Sequence, residues 1–346
     1  MISVIGWDLG GANLKLARID GRRAVEVTQI PCPLLQDASK FDAALAEALP
    51  LCPAGAVHAV TMTGELSDVF SDRTGGVAYL VAMMREATDG EAIFYGGRAG
   101  FLHDVGAVEH AFDVASANWH ASATFVSRFF PDALLVDAGT TTTDLVPLKD
   151  GAVAARGYAD GERLAEGELV YSGAVRTPVM AIARTAPFRG RMQAVAAERF
   201  ATMADVWRLV GELPAGADPY PTPDLKGKST QESARRLARM LGRDATAADL
   251  LALTDLARYF ADCQLAEIEA AALALLARAE LTAGAPVIGA GCGRFIARHV
   301  AARLGRRYCD FAELIDCAPG ARDMAAACAP AVAVGLLAAH ELIIEK

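Results

Sequence analysis

The sequence predicts an α/β chain made of two similar sheet-bearing halves with a ligand cleft between them. Three observations carry this reading. The chain has 346 residues, which suits about two domains at roughly 100–200 residues each. A strand–turn–strand pattern with Asp-x-Gly at the end of its first strand occurs at Asp8-Leu9-Gly10 and again at Asp137-Ala138-Gly139. A third glycine-rich strand end, Ile288 to Gly293, opens a helix.

The elements follow in order. Residues 2–7 form a short apolar strand, and Asp8 to Gly11 a turn. Residues 13–19 and 24–30 alternate apolar and polar around an Asp20-Gly21 turn, as hairpin strands do. An amphipathic helix is expected over 39–49 and a strand over 56–62. A helix over 114–130 leads into the second copy: a strand at 133–136, a turn at 137–140, a strand at 142–148, an Asp150-Gly151 turn and a third strand from 152 to 155. Residues 181–210 read as mostly helical, with Pro187 as a break. Residues 213–229 hold four prolines and two glycines and read as a long loop. A long amphipathic helix over 246–279 carries Leu250, Leu253, Leu256, Phe260, Ile268 and Leu275 on its apolar face. A strand at 286–289, a helix at 294–304, a strand at 307–311 and a buried alanine-rich helix over 324–339 complete the chain.

Composition narrows the function classes. Hydrophobic residues are 53% and charged residues 22%, which supports full cores. The net charge of −9 makes nucleic acid and anionic membrane poor partners. A small anionic ligand then needs local donors or a metal ion. The cysteines number seven and include no CxxC pair, so a reduced, cytoplasmic setting is expected. The histidines show no metal spacing. Met1 leads directly into a strand-like run without a basic leader, so no signal peptide is expected. The stretch 324–339 contains Pro330 and Gly335 and falls short of the ~20 residues of a membrane span. A homo-oligomer stays open.

Three segments carry the chemistry. In Asp8-Leu9-Gly10-Gly11-Ala12-Asn13-Leu14-Lys15 the glycines let backbone N–H groups turn toward a ligand. Asp8 can hold Mg²⁺ or another divalent cation, and Lys15 can reach a phosphate oxygen. An ordinary glycine-rich hairpin is the alternative. In Asp137-Ala138-Gly139-Thr140-Thr141-Thr142-Thr143-Asp144 the threonines gather hydroxyl and amide donors, with Asp137 and Asp144 as carboxylates for a metal. A β-branched strand with a polar face is the alternative there. In Ile288-Gly289-Ala290-Gly291-Cys292-Gly293, glycines at a helix start suit an anion or a flat ligand. Glu65, Asp68, Asp72 and Arg73 form a polar cluster after the strand 56–62. It is either a site or a solvated helix start with Thr63 or Ser67 as cap. Arg176 either clamps phosphate or lies on the surface, and Lys226 and Lys228 read as solvated.

In this order and spacing the three segments resemble the two phosphate motifs and the adenosine motif of the actin/Hsp70/sugar-kinase superfamily. The resemblance implies two ribonuclease-H-like domains, residues 1–128 plus 318–346 and residues 129–317, facing each other across a cleft. Met62-Thr63-Gly64-Glu65-Leu66-Ser67-Asp68, Ser116-Ala117-Asn118-Trp119, Gly167 to Gly173 with Arg176-Thr177-Pro178, and Ser233 to Arg239 resemble the hydantoinase A/oxoprolinase-like branch, and together they span most of the chain. Within it they are similar to the group tied to tetrahydromethanopterin-linked one-carbon metabolism. That group implies an alkyl transfer in methanofuran biosynthesis: an aminomethylfuran-methyl diphosphate and a phenol, γ-glutamyltyramine or a related acceptor, join with loss of diphosphate. Mg²⁺ on Asp8 and Asp137, Lys15, and the glycine and threonine turns would stabilise the departing charge. Glu65 or Asp68 is the candidate base for the phenol. The superfamily alone implies an ATP-dependent small-molecule kinase or ATPase instead, and a catalytically silent nucleotide-binding regulator is the third reading.

Overall fold

The computed structural model describes residues 3–34, 37 and 39–344. Met1 and Ile2, at the head of the first predicted strand, lie outside them. The chain groups into two units. The first comprises the chain up to Ala133, Val146–Ala165 and the chain from Cys309 onward; the second comprises Leu134–Leu145 and Glu166–Tyr308. Residues 146–165, placed by the sequence reading in the second domain, thus group with the first.

The first unit is built on strands β1 (Ser3–Leu9), β2 (Asn13–Asp20), β3 (Arg23–Pro31), β4 (Val57–Met62), β5 (Ala92–Tyr95) and β6 (Phe101–Leu102). Their order is β3-β2-β1-β4-β5-β6. The β1–β2–β3 meander is antiparallel, and β4 and β5 join in parallel on the other side of β1. β1 is the central strand and is buried at every position after Ser3, as its near-continuous apolar run requires. The helix Ser39–Ala48 buries Phe41, Ala44, Leu45 and Ala48, one stripe at helical spacing. The helix Arg73–Ala87 is capped by Asp72, whose carboxylate accepts from Gly75 N at 2.8 Å. The final helix, Ala329–Ile344, lies directly on β1. A Cβ at Gly6 would sit 2.0 Å from Ala331 O, so only glycine permits the approach.

The second sheet uses β7 (Ala133–Ala138), β8 (Thr143–Lys149), β9 (Ala152–Val153), β10 (Leu169–Val170), β13 (Val287–Ala290) and β14 (Tyr308–Asp310), in the order β10-β8-β7-β13-β14 with β9 paired to β8. β13 runs parallel to β7. The path β9-β8-β7-β13-β14 repeats the first sheet's β3-β2-β1-β4-β5, the likeness of halves that the two hairpins predict and the ribonuclease-H-like plan that the resemblance implies. The last short strand, Asp316–Cys317, joins β3 of the first sheet in parallel. In the second unit the helix Leu250–Arg278 buries Leu253, Leu256, Phe260, Ile268 and Leu275, as its spacing predicts, while Leu250 is only partly covered. Its Gln264 accepts from Trp207 Nε1 at 2.8 Å inside that core.

Three stretches depart from expectation. Residues 181–210 are not mostly helical: β11 (Thr185–Phe188) and β12 (Arg191–Ala194) form a hairpin, and helix covers only the end of the short helix Val179–Ile182 and Met203–Val210. Pro187 is a strand residue opposite Met192, tolerated because the two strands stand alone as edges. The turn residues Arg189 and Gly190 both have positive φ, the geometry that favours a tight hairpin. The helix expected over 114–130 starts only at Asn118, because Ser116 takes a left-handed φ of +54° and breaks the path. The strand expected over 152–155 is two residues long. No helix among the described residues is long and apolar enough to cross a membrane.

Candidate active site

The glycine turn at the end of β1 is built by its own backbone. Gly10 N donates to Asn13 O at 3.1 Å, and a Cβ at Gly10 would lie 2.7 Å from that oxygen. Leu34 N and Cys32 N donate to the carbonyls of Gly11 and Ala12 and hold the turn from the far side of β3. Asn13 is buried at its foot. Asp8 stands opposite Lys15 across the β1–β2 ladder, and Lys15 Nζ donates to Asp8 Oδ2 at 3.0 Å. Asp8 is 1% exposed, yet its Oδ1 has no hydrogen-bond partner.

β4 brings a second loop onto this turn. The parallel register sets Thr61 beside Asp8 and Met62 beside Leu9. Thr63 N then donates to Leu9 O at 3.0 Å. A Cβ at Gly64 would fall 3.0 Å from Leu9 O and 3.5 Å from Gly10 C. The loop therefore lies against the glycine turn, and Glu65 follows at once. Glu65 is 1% exposed. Its Oε1 accepts from Ser116 Oγ at 3.0 Å, while Oε2 has no partner. Burial pushes its carboxyl up to about 7; hydrogen bonds from its own backbone and from Ser116 pull it down, and the charge of Asp160 adds to the rise.

The rest of the predicted cluster separates. Asp68 is exposed. Asp72 is the helix cap, a role that neither Thr63 nor Ser67 takes: Thr63 makes no side-chain cap bond, and Ser67 Oγ is buried without a partner. Arg73 pairs with Asp160 at 3.8 Å.

Two residue roles in this unit were not revealed by the motifs. Gly76 packs on it: a Cβ there would lie 2.6 Å from Glu65 O and 2.9 Å from Glu65 Cβ. The signal was the Gly75-Gly76 pair inside a helical stretch. Arg163, 1% exposed, stacks its guanidinium 4.0 Å from the Trp119 ring. Nothing in the local sequence distinguishes that arginine from a surface one.

The second unit's turn has the same plan. Asp137, 8% exposed, precedes it near the end of β7, and Gly139 N donates to Thr142 O at 2.9 Å. Residues 172–176 lie across it. Ala174 N donates to Gly139 O, and Val175 N and Arg176 N both donate to Thr140 O. A Cβ at Gly173 would meet Thr141 N at 2.6 Å. Gln264 Nε2 fixes this strap through Ser172 Oγ and Gly173 O, each at 2.9 Å. Thr140, Thr141 and Thr142 remain half-buried, as does the Arg176 residue. Asp144 sits on β8 opposite Leu169. From the third segment, Gly293 N donates to Ala138 O at 2.8 Å. Gly291, at φ +83°, would place a Cβ 2.5 Å from Asp137 Oδ1. Gly289 faces the Tyr308 ring, which occupies the space a Cβ would need. The motif Ser233 to Arg239 is architectural: Arg236, 1% exposed, donates to Asp205 and Asp224 and ties down the proline-rich loop.

Among the described residues no three His, Cys, Asp or Glu side chains gather as a metal-binding group. The open Oδ1 of Asp8 nevertheless fits a hard divalent cation. Magnesium commonly takes one or two carboxylates and fills its other positions with water and substrate phosphate.

The family model for hydantoinase/oxoprolinase matches residues 56–322. A relative from Methanocaldococcus jannaschii, named (4-{4-[2-(gamma-L-glutamylamino)ethyl]phenoxymethyl}furan-2-yl)methanamine synthase, is 32% identical over 244 residues, covering 70% of this chain and 72% of that one. A protein of the same name from Methanococcus vannielii is 34% identical over 123 residues, 35% of this chain and 55% of that one. Among solved structures, the ROK hexokinase of Thermus thermophilus aligns over 100% of both chains with a TM-score of 0.46 and 15% identity.

Proposed function

Because the chain belongs to the hydantoinase/oxoprolinase family, we propose that it is a transferase that joins an aminomethylfuran-methyl diphosphate to the phenol oxygen of γ-glutamyltyramine or a related acceptor and releases diphosphate. The relative's name describes an aryl ether of a furan-methyl group. Forming such an ether by displacement needs a leaving group on the methylene and a base for the phenol. The observation that carries the reading is Glu65: a buried carboxyl with one oxygen open, on the loop that lies against the Asp8–Lys15 turn.

In this reading the methylene–oxygen bond to diphosphate breaks, and the electron pair leaves with the diphosphate. The phenol oxygen bonds to the methylene, and its proton passes to Glu65 Oε2. A base near 7 suits a phenol near ~10 because the proton moves as the bond forms. Asp68, being exposed, is left out of this role. Lys15 and the amide of Gly11, on the turn that Gly10 closes through its own bond to Asn13 O, receive the departing charge, where fixed donors are worth most. In the second unit we assign phosphate binding to the turn of Gly139, Thr140, Thr141 and Thr142, supported by Gly289 and Gly291 and with Arg176 beside it. Asp8, and in the second unit Asp137 with Asp144, would hold magnesium or another divalent cation, which supplies charge neutralisation on phosphate oxygens when bound.

The test supplies both substrates with magnesium and no nucleotide. Diphosphate and ether should appear in equal amounts. Absence of both, with ADP formed once ATP is added to the phenol alone, would instead favour the ATP-dependent kinase or ATPase reading.

A further inference from the structure

The loop before the helix Asn118–Ser127 carries a strained residue with no part in the helix itself. Ser116 has φ +54°, a left-handed conformation uncommon for a non-glycine residue. Such strain persists only where the surroundings impose it, and it gathers at functional sites. Ser116 is 3% exposed, and its Oγ donates to Glu65 Oε1 at 3.0 Å. The other carboxylate oxygen, equally buried, has no partner. One oxygen is thus fixed and the other is left open.

We propose that Ser116 is a positioning residue: its hydroxyl holds Oε1 of Glu65 so that Oε2 is the atom that takes the acceptor's proton. The proposal rests on Glu65 being the base of the transferase reading. The charged groups on the elements around Glu65 are Asp8 with Lys15 on the β1–β2 hairpin, Asp72 and Arg73 at the start of the helix Arg73–Ala87, and Asp160 with Arg163 on the helix Asp160–Ala165. Asp160 is the one whose charge raises the Glu65 carboxyl further, and Ser116 opposes it by stabilising the ionised form. The left-handed backbone aims the hydroxyl; the hydroxyl sets which oxygen is free.

The test uses Ser116→Gly, which accepts the left-handed backbone while removing the hydroxyl, and Ser116→Ala, which removes the hydroxyl and keeps the strain. Two readouts are taken from pH 5 to 9. One is the folded-state midpoint of Glu65, from the difference in unfolding stability with and without Glu65→Gln, which needs no substrate. The other is kcat/KM for diphosphate release. In Ser116→Gly both midpoints should rise together by about one pKa unit, the loss of one hydrogen bond to a charged group. The fall in kcat/KM should be about tenfold below pH 7 and smaller near pH 9. A stability midpoint that does not move in either variant overturns the proposal, as does a loss of rate that is the same at every pH. A midpoint that moves in proteins of which none, wild type included, releases diphosphate contradicts the transferase reading and not the Ser116–Glu65 contact.

Discussion

Glu65 concentrates the residue-scale physics. Its carboxyl titrates near 7 when folded against about 4.5 when unfolded. A raised carboxyl binds its proton more tightly in the folded state. Its favourable contribution is therefore complete below about pH 4.5 and is lost as pH rises through 7. By linkage this amounts to about 3 kcal/mol. Glu65→Gln should thus be more stable than wild type at pH 8 by up to about 3 kcal/mol, with the gap closing toward pH 5, and should lose most of its activity. Urea unfolding at the two pH values checks this. In wild type, kcat/KM should rise with pH up to about 7 and then level off. At Asp8, Asn substitution should lower kcat about 10²–10³-fold, the scale of losing a fixed charge-stabilising group, with little change in melting temperature. An Asp8→Asn protein with full kcat would remove the glycine turn from the site. The sequence offered Glu65 and Asp68 as equals. Burial separates them, and burial depends on the packing of Gly76 and Ser116 against Glu65, contacts between segments distant in sequence.

At the scale of elements, close backbone approach does the positioning. The helix Arg73–Ala87 reaches Glu65 because Gly76 has no Cβ. Gly76→Ala should therefore push Glu65 off its place, costing about 1–3 kcal/mol as overpacking does and lowering kcat more than it raises KM. Steady-state kinetics beside thermal melts would show a purely structural role if kcat were unchanged. In the second unit, Arg236 is enclosed by Asp205 and Asp224. Arg236→Ala takes the buried arginine away from both carboxylates, leaving Arg208 as the ion-pair partner of Asp205, and should destabilise this unit by up to about 3–5 kcal/mol, read from the fluorescence of Trp207 in its core. The two hairpins and the long helix were legible because their periodicity agrees with their burial. The β11–β12 hairpin was not: its alternation spans four residues a strand, and Pro187 reads equally as a helix break. The strap of residues 172–176 was visible as a motif, but its purpose, holding the threonine turn by backbone bonds, emerges only from long-range pairing.

For the whole molecule, the repeat of one strand order in two sheets explains why an Asp-x-Gly occurs twice, each time where the first central strand ends. That repetition was readable from the sequence. The chain's passage between units was not, since residues 146–165 follow the second hairpin in sequence yet pack with the first unit through Tyr158, Asp160 and Arg163. In the proposed reading Glu65 serves a transfer at carbon, whereas a kinase transfers at phosphorus. The measurement that separates the two follows an oxygen atom. An acceptor labelled with ¹⁸O in its phenol is incubated with the furan-methyl diphosphate, ATP and magnesium, and the products are weighed by mass spectrometry. The account expects the label in the ether oxygen and unlabelled diphosphate released in equal amount. Label found in a phosphorylated phenol, with no ether formed, would contradict it.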